Sequence, residues 1–165
     1  MIIHLFLLGC LFASPQLDSV DQASVRIEPP QLQGSRPLEK QTEAAVVREY
    51  LQAWKTFQTA FDTNQPLLLD ANFVGTAHDR LAETIEAQTK AGIHTRYRDR
   101  SHDLQIVFYS PEGLSIQILD TVEYEEEVLD HDKVLTTKQV RQKYVVVLSP
   151  SEVRWRVRIF QAGAM

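Results

Sequence analysis

"GLSIQILDTVEYEEEV", residues 113–128, decides the fold. Leu114, Ile116, Ile118, Val122 and Tyr124 share one parity, while Glu123, Glu125 and Glu127 share the other. In extended backbone successive side chains point to opposite faces, so this alternation predicts a half-buried β-strand with one apolar side. Asp120 falls on the apolar parity. A carboxylate there is either a structural partner for a strand end, a tyrosine hydroxyl or an arginine, or a general acid or base whose pKa burial pushes upward.

The same period extends in both directions. Residues 96–110, 134–148 and 152–161 read as three more strands, with "SPEG" (110–113) and "SPSE" (149–152) as turns and "LDHDK" (129–133) as a polar link. Links this short imply an antiparallel meander. In the third strand Val140, Tyr144 and Val146 oppose Arg141 and Lys143. In the last, Val153, Trp155, Val157 and Ile159 oppose Arg154, Arg156 and Arg158. Pairing in chain order makes the solvent face run acidic, basic, basic, with facing opposite charges contributing about 0.2–1 kcal/mol each. The arginine stripe therefore belongs chiefly to the fold.

Before the strands the period is helical. In residues 39–62, Val47, Leu51, Trp54, Gln58 and Phe61 line one side, and Val46, Tyr50, Ala53, Phe57 and Ala60 run beside it. That is a long helix with a wide apolar face. A turn containing Pro66 follows. A second helix begins near Thr76, with Thr76 and Asp79 in a capping arrangement and Gly92 as the residue after its end. Helices first and long strands afterwards define an α+β domain, the helices packed on one face of a curved antiparallel sheet of about four long strands.

Residues 1–14 contain no Lys, Arg, Asp or Glu. The run is too short to span a membrane, which takes about twenty residues, and matches the apolar core of a secretory signal. "LLGC" (7–10) resembles a lipobox and makes Cys10 a lipidation candidate. Residues 15–38 hold Pro15, Pro29, Pro30 and Pro37 and read as an extended linker, leaving 39–161 as the domain. The expected location is exported or envelope-anchored. The formal charge of −5 argues against nucleic-acid binding, which needs a basic surface. One cysteine permits no internal disulfide.

The order of elements, with "FVGTAHDRL" opening the second helix, "AGIHTRYRDRSHDLQIV", "ILDTVEYEEEV" and the ending "YVVVLSPSEVRWRVRIF", resembles the nuclear transport factor 2-like superfamily. Within it the pattern is similar to the intermembrane-space domain of chloroplast-division accessory proteins and their bacterial relatives. The resemblance covers residues 40–161. It implies a cone-shaped domain whose sheet wraps helices around a pocket, here lined by Trp54, Asp120, Tyr124, Tyr144 and Trp155. That subgroup implies a membrane-tethered, non-catalytic module binding a protein partner or a small apolar ligand. Other members of the superfamily are isomerases and dehydratases with pocket Asp, His and Tyr. That points to an alternative: a small lyase or isomerase using Asp120, with Tyr97, His102 or His78 as partners. Homodimerisation through the sheet face is compatible with either.

Three His-Asp pairs, His78-Asp79, His102-Asp103 and His131-Asp132, fall on a helix start, a strand and a turn. Such scattered placement does not build a metal site, and neither a metal nor another cofactor is expected. Tyr144, Trp155 and Trp54 read as core aromatics.

Overall fold

The computed structural model describes residues 23–34 and 36–163. The apolar run 1–14, with Cys10, lies outside the described residues. The order is β1 (Ser24–Ile27), α1 (Lys40–Thr63), a short 3-10 segment (Pro66–Ala71), α2 (Gly75–Lys90), β2 (His94–Tyr109), β3 (Ile116–Asp130), β4 (Lys133–Ser151) and β5 (Arg154–Ala162). The five strands form one sheet in chain order. The four long strands are antiparallel, as the alternation requires. β1 is an addition: part of the expected linker pairs parallel with Ser101–Leu104 of β2. Four residues between prolines carry too little pattern to be seen as a strand.

The wide apolar face of α1 becomes the centre of the core: Val46, Val47, Tyr50, Ala53, Trp54, Phe57, Ala60 and Phe61 are all buried against the sheet. The helix stops at Asn64, which takes a left-handed conformation (φ 55°) and donates its N–H to Ala60 O. α2 ends as expected at Gly92 (φ 72°), whose N–H reaches Thr89 O. Its start differs. Val74 precedes the first helical residue, Gly75, and no side chain caps that end. Asp79 instead faces His78 Nδ1 at 3.2 Å.

Bulges set the curvature. β2 carries an extra residue at Arg100 and another at Val107, so its inward parity passes from Tyr97 and Asp99 to His102, Leu104 and Ile106, then to Tyr109. Each bulge bends the strand and sharpens its twist, which lets it wrap the helices. β5 has a third, at Arg158: Val147 faces Ile159 and Leu148 faces Val157. The expected inward set of β5 is corrected accordingly. Val157 is buried, but Ile159 is 40% exposed and Val153, in the turn, 93%. Phe160 takes the inward place. Leu114 also lies in a turn, 62% exposed, ahead of β3. The last turn centres on Glu152 (φ 55°), and Pro150 sits inside β4 opposite Trp155.

This difference is measurable. Phe160→Ala is expected to cost about 2–4 kcal/mol by leaving a cavity, and Ile159→Ala under about 1 kcal/mol. Denaturant midpoints of the two variants check it; the reverse order would place the bulge elsewhere.

On the outer face the charge ladder is present between β3 and β4, where Glu123 meets Arg141 at 3.6 Å. The main counter-charges of the β3 glutamates come from β2: Arg98 reaches Glu125 and Glu127 at 3.2 Å each, and Arg100 reaches Glu125 at 3.5 Å. Arg154 and Arg156 face Ser151 and Ser149, not acids. Both oppose the face that holds Asp120, as the alternation demands.

Candidate functional site

Even-numbered residues from Ile116 to Tyr124 in β3 point inward and are buried, which carries Asp120 into the core with no exposure. Its partners arrive from two directions. Tyr50, on the inner face of α1, donates its hydroxyl to Asp120 Oδ2 at 2.6 Å. His102, turned inward by the bulge at Arg100, donates Nδ1–H to the same oxygen at 2.7 Å. The other imidazole nitrogen faces Asp99 Oδ2 at 3.3 Å. Asp99 in turn accepts from the Gln58 side chain, which also donates to Tyr97 O at 3.3 Å.

A histidine between two carboxylates donates from both nitrogens only when protonated. Burial alone pulls its pKa down, but the hydrogen bonds and charges of Asp120 and Asp99 outweigh that and hold His102 at about 9. Asp99 is also partly buried, which raises it, yet the bonds from His102 and Gln58 leave it below its ordinary value. Tyr50 is held well above the usual phenol range, first by burial and then by the charge of Asp120. The cluster thus sets a neutral tyrosine and an imidazolium against the side chains of Asp120 and Asp99. Trp54 Nε1 and Asp120 Oδ1 are buried without a hydrogen-bond partner among the described residues.

Around this cluster the cone interior is filled by aromatic rings. Trp54 is the hub, its centroid 5.0 Å from His102, 5.3 Å from Phe57, 5.6 Å from Tyr144 and 5.7 Å from Phe160. Tyr144 stacks on Phe160 at 4.7 Å, and its hydroxyl lies 3.3 Å from that of Tyr124. Of the residues expected to line a pocket, Trp54, Asp120, Tyr124 and Tyr144 do converge. Trp155 does not; it sits opposite Pro150 at the far end of β5, and Phe160 occupies the place assigned to it. Tyr97 is also displaced from the proposed chemistry: its ring packs on Phe57 at 4.8 Å and Tyr124 at 5.6 Å, and only its backbone O meets the cluster, at Gln58.

His78 is remote, half-buried in the first turn of α2, with Asp70 at 2.8 Å. His131 is almost fully exposed beside Asp130. Among the described residues no group of three side chains is arranged to hold a metal ion. Tyr50, Asp99 and Gln58 are the members that the sequence did not single out. Tyr50 was legible only as core, and the inward turn of Asp99 depends on a bulge that no glycine announces.

The centre of the cluster is closed to solvent. Tyr50 and Asp120 have no exposure, and Trp54 and His102 have 1% each. A groove of about 660 Å³ lies on the outside between α1 and β1 and includes Ile27, Ala44, Val47 and Leu51, with Lys40 and Lys55 among its charged residues. No helix among the described residues is long and apolar enough to cross a membrane.

No family model matches the sequence. No curated protein matches it either. Solved structures do. The intermembrane space region of the chloroplast protein ARC6 aligns over 79% of this chain and 100% of its own, with a TM-score of 0.61 at 14% identity. A Novosphingobium aromaticivorans protein provisionally assigned as a scytalone dehydratase aligns over 76% and 89%, with a TM-score of 0.52 at 13% identity. A Streptomyces avermitilis protein from the NTF2-like family, provisionally assigned as a dehydratase, aligns over 74% and 98%, with a TM-score of 0.51 at 11% identity. The chain has the nuclear transport factor 2-like fold.

Proposed function

We propose that this chain is an exported or membrane-tethered, non-catalytic module that binds a protein partner. The filled interior carries the reading. A pocket enzyme of this fold needs an opening at which substrate meets its carboxylate, and here Asp120 is fully buried under Trp54, Tyr124 and Tyr144. Asp120 Oδ2 already accepts from two donors, Tyr50 and His102, and Oδ1 is buried away from solvent. An apolar small molecule gains affinity from enclosure, and the described groove is open along one side, a shape suited to a polypeptide segment. The apolar run 1–14, with Cys10 in "LLGC", supports export or lipid anchoring. Likeness to a domain that works in an intermembrane space agrees with an envelope location.

One observation favours the alternative lyase or isomerase: Asp120 meets a second polar group, His102, at 2.7 Å. The two readings separate in one experiment. The intact chain is crosslinked in its native host, the captured partner is purified, and the pair is titrated. A micromolar or tighter complex unchanged by Asp120→Asn is expected. Dehydration or isomerisation that falls by about a hundredfold in a folded Asp120→Asn variant, the scale of a lost general acid or base, would overturn the proposal.

A further inference from the structure

β4 is longer than the strand that covers it. β5 pairs with Tyr144–Ser151, and the N–H of Gly163 reaches Lys143 O at 2.7 Å. The preceding stretch of β4, residues 133–142, pairs with β3 on one side and with nothing on the other among the described residues. Lys133–Gln139 are exposed throughout, including Val134 at 44% and Leu135 at 51%. The open edge is about 30 Å long at the usual rise of an antiparallel strand. Its unpaired backbone groups are a template for one more strand.

We propose that this edge binds an extended, acidic-aliphatic segment of a partner protein by adding it to the sheet as a sixth strand. The inference rests on the protein-binding reading and adds a contact separate from the α1–β1 groove. Charge selects the occupant. Residues 133–143, "KVLTTKQVRQK", carry four cations and no acid. Arg141 is matched by Glu123, whereas Lys133, Lys138 and Lys143 make no ion pair among the described residues. A second copy docking edge to edge about a two-fold axis would bring only like charges together; centred on Lys138, it sets Lys133 against Lys143. An acidic strand neutralises them. The register also fixes sides: Lys138 and Val140 fall on the inward parity of Tyr144, and Arg141 and Lys143 on the outward one. The fitting segment carries acids opposite Lys138, Arg141 and Lys143, and aliphatic residues opposite Val134 and Val140.

The test uses the intact chain and a fluorescent ten-residue peptide of that pattern, followed by anisotropy. Binding is expected to weaken at least tenfold when Lys138→Glu, Arg141→Glu and Lys143→Glu are combined, and to vanish for a peptide of scrambled order. Two further peptides, N-methylated at alternate residues in opposite phases, need no change in the protein. One phase is expected to abolish binding and the other to leave it, because only alternate amides of an added strand face β4. Equal binding by both phases, absence of binding at millimolar peptide, or self-association of the chain through β4 would overturn the proposal. A crosslinked partner that binds the wild type and the triple variant equally would sink this edge and leave the protein-binding reading standing. Turnover through Asp120 would sink that reading, and the peptide titration would still judge the edge.

Discussion

Asp120→Ala is expected to lower folding stability by about 3–5 kcal/mol, the cost of removing one partner from a buried charged pair. His102 would be left 1% exposed with a single carboxylate, Asp99, at 3.3 Å, and the Tyr50 hydroxyl would lose its acceptor. An orphaned buried hydroxyl alone costs about 1–3 kcal/mol. Single domains hold only about 5–15 kcal/mol in total, so the variant sits near the edge of folding at room temperature. Guanidinium denaturation of the purified protein reads this directly. Asp120→Asn keeps an acceptor for Tyr50 and is expected to lose less. A loss under about 1 kcal/mol in the alanine variant would show that the cluster is not structural, and the enzymatic alternative would gain by it.

The second large effect is a fall in stability at alkaline pH. His102 is held at about 9 in the folded chain against 6.5 when unfolded. Its stabilising contribution is therefore complete below pH 6.5 and is lost as the pH rises through 9. At 1.36 kcal/mol per pH unit the loss amounts to about 3 kcal/mol. Above pH 10 the buried tyrosines add to it in the same direction. Tyr50, Tyr97 and Tyr144 all ionise less readily folded than unfolded, chiefly through burial. Asp99 acts at the other extreme. Its lowered pKa contributes stability that is lost as the pH falls below the ordinary carboxylate range. Denaturant midpoints between pH 6 and 9.5 test the histidine, with His102→Gln as reference. The wild-type curve should slope downward across that window and the variant curve should be flatter; parallel curves would remove His102 as the cause.

The parts of this domain that sequence revealed are those governed by strict local periods. α1 showed its apolar face because residues three and four apart lie together on a helix, and the buried set from Val46 to Phe61 is that face. The inward position of Asp120 followed from the parity of Ile116, Ile118 and Val122 alone. What escaped was whatever breaks a period without marking the break. The bulges at Arg100 and Arg158 fall on ordinary arginines, yet they turn Asp99 and His102 inward together and put Phe160, not Ile159, on the inward face. Tyr50 was visible as a core residue. Its bond to Asp120, seventy positions on, is a tertiary fact that no local pattern encodes. β1 was lost among prolines because four residues, all exposed, have no alternation to read.

That small strand has a kinetic consequence. The pairs between β2 and β3 and between β3 and β4 close short loops, and each can zip from its own turn. β1 must instead find β2 across a sequence separation of seventy-seven, as its Arg26–Asp103 contact shows, and it brings almost no buried surface to offset that search. It joins when the rest is already assembled and detaches first when the molecule breathes, opening the flank of α1 without melting the centre.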